Sequence, residues 1–297
     1  MRKTARRLRI ENKPLSAAVK IVAVLIADIL ILHIVPREFW QINTKDFIQK
    51  WYDNEAISPA QWLSVFWNSN NYELAANIIL VVIIIMLRFR FKKAENFRLS
   101  RRTMIIALLC VIASAIGILY ILRYGSSGAS WQWRASQMLR TLIIVALFEE
   151  LIYRGFITNE LFRLKPYGLK TPAAIAISAA IFGFIHIQGS VARVLNGSPP
   201  SFTWYTAERF GQTAAVGVSM AVILYYTKDI ISLICIHATN NILYDSYLAG
   251  SYAAGGEVTS AGVLFAVFSI LFYICYPVFL IYKGKTRQGG RFKNSRG

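Results

Sequence analysis

Long apolar runs alternate with short polar segments along this chain, and eight of these runs predict membrane-spanning helices. The predicted spans are Ala17 to Val35, Leu74 to Leu87, Thr103 to Leu122, Gln137 to Phe162, Thr171 to Ile187, Gly211 to Tyr226, Ile230 to Tyr247 and Ala261 to Tyr282. Turn residues mark several boundaries, since Pro166 and Gly168 follow the fourth run and Pro172 opens the fifth. The pattern therefore predicts an all-α, polytopic membrane protein.

The eight runs divide the chain into three parts. Residues 1–135 contain three predicted spans and the polar, aromatic segment from Pro36 to Tyr72, whose four tryptophans suit a membrane interface. Residues 136–283 contain five predicted spans and form the predicted catalytic core, and residues 284–297 form a basic tail. We expect no separate soluble domain.

The composition supports a membrane protein, because 56% of the residues are hydrophobic and the mean hydropathy is +0.45. The formal net charge is +18, and the basic residues cluster in alternate loops. Six lie in Met1 to Lys13, seven in Arg88 to Arg102, and six after Tyr282. This alternation predicts that both termini are cytoplasmic, and it assigns the positive charge to topology and anionic lipid rather than to nucleic acid.

Two carboxylates interrupt the fourth run. Glu149 and Glu150 follow the apolar stretch from Thr141 to Phe148 with no turn residue between them. Each charge at the centre of a spanning helix costs about 2.5–3.5 kcal/mol, so a pair there suggests a function. Arg154 lies four positions after Glu150, and an α-helix would place the two on one face, where they can pair. Glu149 would be rotated by about 100° and would point elsewhere.

Two of the chain's three histidines lie in later predicted spans. His186 follows Phe182 by one helical turn in the fifth span, and His237 precedes Asn241 by one turn in the seventh. Any one of these groups alone is more often a packing or interhelical contact than a catalytic one. Their joint occurrence with the carboxylates predicts a polar site inside the bilayer.

These residues resemble the three motifs of the CPBP family, the CAAX-protease and bacteriocin-processing group of intramembrane endopeptidases. The matching positions are Glu149, Glu150 and Arg154 for Glu-Glu-x-x-x-Arg, Phe182 and His186 for Phe-x-x-x-His, and His237 and Asn241 for His-x-x-x-Asn. The resemblance covers about residues 137–245, in the family's order on three separate spans. The amino-terminal third carries no motif.

The resemblance implies that Glu149 and His186 hold and deprotonate the water that attacks a peptide carbonyl, while His237 and Asn241 stabilise the oxyanion. Glu150 would pair with Arg154 to keep Glu149 oriented, and Phe182 would be a packing residue. The family is often described as metalloproteases, so zinc held by Glu149, His186 and His237 is a second interpretation. An amide is a poor zinc ligand, and we therefore favour glutamate-activated water with no required cofactor.

Two other classes of function remain open. One is a membrane immunity or scaffolding protein in which the polar cluster is structural, and the other is an ion or proton transporter, although no internal repeat supports a transporter. For a protease, the expected partners are the bilayer and a peptide or membrane-protein substrate. The candidate peptides are CAAX-like, pheromone and bacteriocin peptides. The expected location is a bacterial plasma membrane, which the chain would cross several times.

Overall fold

A computed structural model describes residues 14–28, 75, 77–86, 99–124, 138–195, 204–253 and 259–284. Within these ranges every regular element is helical and no strand occurs, which confirms the predicted all-α class. The predicted aromatic segment from Pro36 to Tyr72 and the predicted tail from residue 285 lie outside the described residues.

Each predicted span coincides with a helix of the structure. The helices are α1 (14–28), α2 (Asn77–Met86), α3 (Arg101–Tyr124), α4 (138–163), α5 (Thr171–Leu195), α6 (Trp204–Thr227), α7 (Ile230–Ala253) and α8 (Ser260–Gly284). The helical nature of the apolar runs is therefore confirmed.

Between the fifth and sixth predicted spans, the sequence predicts a loop from Gly189 to Arg209. This prediction is wrong at both ends. Helix α5 continues to Leu195 and α6 already begins at Trp204. The residues that extend α5 include valine, alanine, arginine and leucine, which a helix accommodates, and the strong turn residues begin only at Asn196. We predicted a loop because these segments contain polar residues, but these residues are compatible with a helix.

Four of the described helices are long and apolar enough to cross a membrane, namely α3, α5, α6 and α8. Large apolar side chains on α3 such as Met104, Leu108 and Leu119 are exposed, as expected for a helix surface in contact with lipid. Helices α4 and α7 are not among the four, because the polar residues of the motifs interrupt their apolar sequences. The chain is thus an integral membrane protein, while the count of eight spans and the cytoplasmic termini remain predictions.

Helix α4 has an unusual backbone. Residues Arg140–Leu147 and Glu150–Thr158 are π-helical, and the helix returns to α geometry at Asn159–Arg163. A 3₁₀ turn at Lys165–Tyr167 follows, and Gly168 (φ 101°) adopts the left-handed conformation that ends the segment. This confirms the break predicted at Pro166 and Gly168. Short π segments often mark functional positions in helices, and here Glu149 lies between the two segments and Glu150 begins the second.

The helices form two compact units. The first contains α1, α2, α4 from Leu151, α5, and α6 up to Val222. In this unit Gly217 allows close packing of α6 on α5, because a Cβ at this position would lie 3.0 Å from the Cα of Ala179.

The second unit contains α3, α4 up to Glu150, the end of α6, α7 and α8. Hydrogen bonds near both ends of α7 join it to α3. Thr103 Oγ1 donates to Asp229 Oδ2 at 2.7 Å, and Ser246 Oγ donates to the carbonyl of Gly117 at 2.9 Å. These bonds fix the position and rotation of α7, which carries His237 and Asn241.

Candidate active site

In the second unit, a buried glutamate binds the histidine of α7. Nδ1 of His237 lies 2.8 Å from Oε1 of Glu150, whose side chain is 0% exposed. A carboxylate oxygen accepts, so the ring proton lies on Nδ1 and Nε2 is the nitrogen left to act on another group. A hydrogen bond to a carboxylate is shorter and stronger than one between neutral groups, so Glu150 fixes the orientation of His237.

The other carboxylate lies on the opposite side of the same ring. Oε2 of Glu149 is 3.9 Å from Nε2 of His237, which is beyond hydrogen-bonding distance. The Glu149 side chain is 25% exposed, whereas that of Glu150 is fully enclosed. His237 thus stands between two carboxylates of different character, one bound and buried, the other nearby and partly accessible.

Asn241 follows His237 by one turn of α7 and therefore lies on the same face of this regular α-helix. Its side chain is half-buried. The neighbouring Asn240 accepts a hydrogen bond from Ser269 Oγ of α8 at 3.0 Å. Thr239 is hydrogen-bonded to Ser114 of α3 at 2.9 Å, so helices on two sides hold this part of α7.

In the first unit, His186 is held by main chain rather than by a carboxylate. Its Nδ1 lies 2.8 Å from the carbonyl oxygen of Phe182, one turn earlier on α5. A carbonyl can only accept, so Nδ1 donates and Nε2 keeps its lone pair. The half-buried ring also contacts the Phe182 ring at a centroid distance of 4.5 Å and an angle of 62°.

The Phe182 ring is enclosed by two neighbouring residues of α4. The guanidinium carbon of Arg154 lies 3.7 Å from its centroid, within the range of a cation–π contact, and Arg154 is only 1% exposed. Tyr153 contacts the same ring in a T-shaped arrangement at 5.5 Å. Phe182 is therefore the common partner of Tyr153, Arg154 and His186, which is a larger role than the packing role predicted for it.

The predicted Glu150–Arg154 pair lies in a segment whose backbone differs from the one we assumed. The prediction assumed an α-helix, but the segment from Glu150 to Thr158 is π-helical, with hydrogen bonds five residues apart. Positions four apart remain neighbours on a π-helix, so this change of backbone does not exclude the pair. In the structure Glu150 binds His237 and Arg154 stacks on Phe182; the pairing itself stays a prediction.

Sequence analysis gave no role to two further residues of the first unit. Tyr153 Oη donates to Oδ2 of Asp28 at 3.3 Å, and both residues are buried. Asp28 lies in the apolar helix α1, where a carboxylate is costly without a partner. The signal available in the sequence was a lone acid in an apolar run together with a tyrosine between two motif residues.

The structure brings together only part of the predicted catalytic set. Glu149, Glu150 and His237 lie within contact distance in one unit, and Asn241 lies one turn away on the same helix. His186 belongs to the other unit, with Phe182 and Arg154. A single site containing Glu149, His186, His237 and Asn241 stays a prediction.

The predicted zinc ligands Glu149, His186 and His237 are not found as one cluster among the described residues, and the zinc interpretation stays a prediction. None of the described His, Cys, Asp and Glu side chains form a group of three or more suited to a metal ion. Zinc in proteins usually has four ligands, of which at least three are side chains. Nδ1 of His237 is already bound to Glu150, leaving Nε2 and Glu149 as two potential donors. We therefore derive no step through a metal.

A comparison with protein families identifies the segment that contains these side chains. Residues 130–243, less than half of the chain, match the family model described as type II CAAX prenyl endopeptidase Rce1-like. No curated protein and no solved structure matches the chain. The match includes Glu149, Glu150, Arg154, Phe182, His186, His237 and Asn241, all of which the sequence motifs had indicated. Residues 130–243 are thus similar to the Rce1-like type II CAAX prenyl endopeptidases, which agrees with the resemblance to the CPBP family.

Proposed function

We propose that this protein is an intramembrane endopeptidase that hydrolyses peptide bonds by using an activated water. The observation that carries the proposal is the placement of His237 between a buried, hydrogen-bonded Glu150 and a partly accessible Glu149. Carboxylate–histidine pairs of this kind orient the imidazole and allow it to exchange a proton at the other ring nitrogen. The family match of this segment points to the same chemistry.

In this mechanism His237 stabilises the oxyanion of the tetrahedral intermediate. The bond from Nδ1 to Glu150 fixes the orientation of the ring, so that Nε2 can hydrogen-bond the substrate oxygen. Asn241, one turn further along α7, supplies a neutral N–H donor for the same oxygen. Donors fixed in a site with little water need no reorganisation when charge develops, which is why their positions matter more than their number.

Glu149 and His186 are the proposed water-activating residues. The Glu149 side chain is 25% exposed, although its Oε2 is buried, whereas Glu150 is fully enclosed, so Glu149 is the carboxylate to which we assign the water. His186 keeps a lone pair on Nε2 because Nδ1 donates to the Phe182 carbonyl. Each therefore presents an acceptor for a water proton, as general base catalysis requires.

The proposed substrates are peptides or membrane-protein segments that reach the site from the bilayer. Prenylated CAAX peptides follow from the description of the matching family, and pheromone or bacteriocin peptides are the alternatives. We further propose that the chain resides in a bacterial plasma membrane, crosses it eight times and has both termini in the cytoplasm.

A substitution that preserves shape tests the hydrolytic function. Glu149→Gln removes the base, and Glu160→Gln is the matched control, because Glu160 lies later on the same helix in an ion pair with Arg163 at 2.7 Å. Cells expressing wild-type or variant chains are compared for newly formed peptide termini by mass spectrometry, and the purified chains are tested on a farnesylated, fluorescence-quenched CAAX peptide. We expect new termini with wild type and Glu160→Gln only.

Glu149→Gln is also expected to retain uncleaved substrates, which would co-purify with it. Unchanged cleavage by a normally folded Glu149→Gln protein would contradict the proposal. Absence of any terminus or cleaved peptide specific to the wild type would favour an immunity or scaffolding protein.

A further inference from the structure

The first helix contributes a carboxylate that the family match does not include. Asp28 closes the described part of α1, more than 100 residues before the matching segment begins at residue 130. Its side chain is 7% exposed, and Oδ2 accepts a hydrogen bond from Tyr153 at 3.3 Å. The remaining residues around it in α1 are predominantly apolar, so this acid is not part of a general polar surface.

From Tyr153 an unbroken series of contacts leads to His186. The Tyr153 ring meets Phe182 at 5.5 Å, and Phe182 meets His186 at 4.5 Å. Arg154 covers the face of Phe182 at 3.7 Å. Every contact in this series lies within the first unit, and each member except His186 is buried.

We propose that Asp28 is a positioning residue for His186 and acts through the rings of Tyr153 and Phe182. The inference rests on the proposed function in that it gives His186 a catalytic role. It also connects the amino-terminal region to the site through Tyr153 and Phe182, whereas the resemblance gave that region no motif.

The physical reason lies in what holds the His186 ring. The bond from Nδ1 to the Phe182 carbonyl fixes the tautomer, and the tilt of the ring depends on what packs against its faces. The Phe182 ring limits that tilt, and the Tyr153 ring limits Phe182 in turn. The hydroxyl of Tyr153 needs an acceptor in an apolar interior, and Asp28 supplies it. Without Asp28, Tyr153 turns towards another acceptor and releases Phe182.

Chemical modification of the histidines measures this effect without a substrate. Diethyl pyrocarbonate acylates neutral imidazole nitrogen, and mass spectrometry gives the rate at each histidine of the full chain in lipid nanodiscs. His237 belongs to the other unit and serves as the internal reference. The variants are Asp28→Ala, the isosteric Asp28→Asn, Tyr153→Phe, the double variant Asp28→Ala with Tyr153→Phe, and Val24→Ala.

We expect the rate at His186, relative to His237, to rise about fivefold in Asp28→Ala and Tyr153→Phe, the ratio that corresponds to one hydrogen bond of ordinary strength. Asp28→Asn keeps an acceptor oxygen and should restore most of the wild-type rate. The double variant should equal either single variant, because both remove the same bond. On a cleaved peptide, Asp28→Ala should lower kcat about fivefold and leave KM within about twofold.

Val24→Ala separates positioning from general packing. Val24 is a fully buried residue of the same helix, so its truncation loosens α1 without touching the carboxylate. An equal rise in the His186 rate in Val24→Ala, or no rise in Asp28→Ala, would refute the proposal. Additive effects in the double variant would also refute it.

The two proposals fail in different ways. If Asp28→Ala raises the modification rate of His186 but Glu149→Gln does not affect cleavage, the proposed hydrolytic function is refuted. The role proposed for Asp28 in positioning His186 then still stands. Loss of cleavage in Glu149→Gln with unchanged His186 reactivity in Asp28→Ala would do the reverse.

Discussion

The two motif histidines of this protein, His186 and His237, are held in contrasting ways. His237 donates to the side chain of a fully buried Glu150, while His186 donates to a main-chain carbonyl and is steadied by the Phe182 ring. A carboxylate shares a full charge with the ring, and a carbonyl shares only a partial one. His237 is thereby held by a side chain of another helix, and His186 by its own helix.

The contrast also determines which substitutions can disturb each ring. The acceptor of His237 is a side chain, so one substitution removes it. The acceptor of His186 is main chain, and no substitution removes it, so only the tilt of this ring is sensitive to its neighbours. The predictions below separate these two kinds of dependence, beginning with the larger effect.

Replacing Glu150 should produce the largest loss. Glu150→Gln keeps the size of the side chain but removes the charged acceptor of the His237 ring, and its amide can present N–H to Nδ1 and reverse the tautomer. We expect cleavage of the chosen peptide to fall on the order of 100-fold, in the range of lost general acid–base catalysis. Steady-state kinetics measure this loss, with Glu160→Gln as the unaffected control. A change below threefold would mean that Glu150 has only a structural role.

Phe182→Leu should produce an intermediate loss through the tilt of His186. Leucine fills part of the volume but provides no ring for Arg154 or His186. We expect cleavage to fall about tenfold, which corresponds to about 1.4 kcal/mol at the transition state. Phe184→Leu, two residues later on the same helix, is the matched control because Phe184 is 40% exposed. Equal losses in both variants would show that α5 packing, and not the ring at position 182, is responsible.

The difference between the two histidines also shows what the sequence could and could not predict. The apolar runs gave the positions of the helices, since a long run must satisfy its backbone internally in lipid. The one-turn spacing predicted within α5 and within α7 agrees with the structure, because both helices have regular α geometry there. The π-helical segments of α4 were not predicted, because no sequence pattern in this run indicates them.

The partners of the motif residues depend on which helices pack together, which no local pattern contains. The Glu150 carboxylate accepts a hydrogen bond from His237, which lies 87 residues away in the sequence. Tyr153 donates to Asp28, which lies 125 residues away. The nearest opposite charge in the sequence was the natural choice for Glu150. The structure adds a histidine as a partner of Glu150 and a tyrosine hydroxyl as a partner of Asp28, and sequence distance could suggest neither.

Arg154→Lys tests whether the buried guanidinium acts as a planar group or only as a charge. Lysine keeps the charge but cannot stack on Phe182 as a plane. We expect a loss of about 1 kcal/mol in the free energy of unfolding, measured by denaturant titration in mixed micelles. Arg163→Lys is the control, because Arg163 forms a partly exposed pair with Glu160, and such pairs contribute about 0–1 kcal/mol. If both variants lose the same amount, stacking does not stabilise the first unit.

Ser269→Ala should have the smallest effect. It tests whether the contact between α8 and α7 helps to hold His237 in position. Ser269 Oγ donates to Asn240, three positions after His237 on α7, so its loss removes a contact from α8 without touching Glu150. Interhelical hydrogen bonds of this kind in membranes contribute about 0.6 kcal/mol on average, so we expect unfolding to become easier by that amount. Ser260→Ala, at an exposed position of α8, is the control.

Cleavage by Ser269→Ala should stay within about threefold of the wild type, the ratio to which 0.6 kcal/mol corresponds. The reason is that Glu150 holds the His237 ring directly, whereas Ser269 acts only on the helix that carries it. A loss as large as that of Glu150→Gln would reverse this order. It would show that the rotation of α7, rather than the carboxylate, sets the position of Nε2.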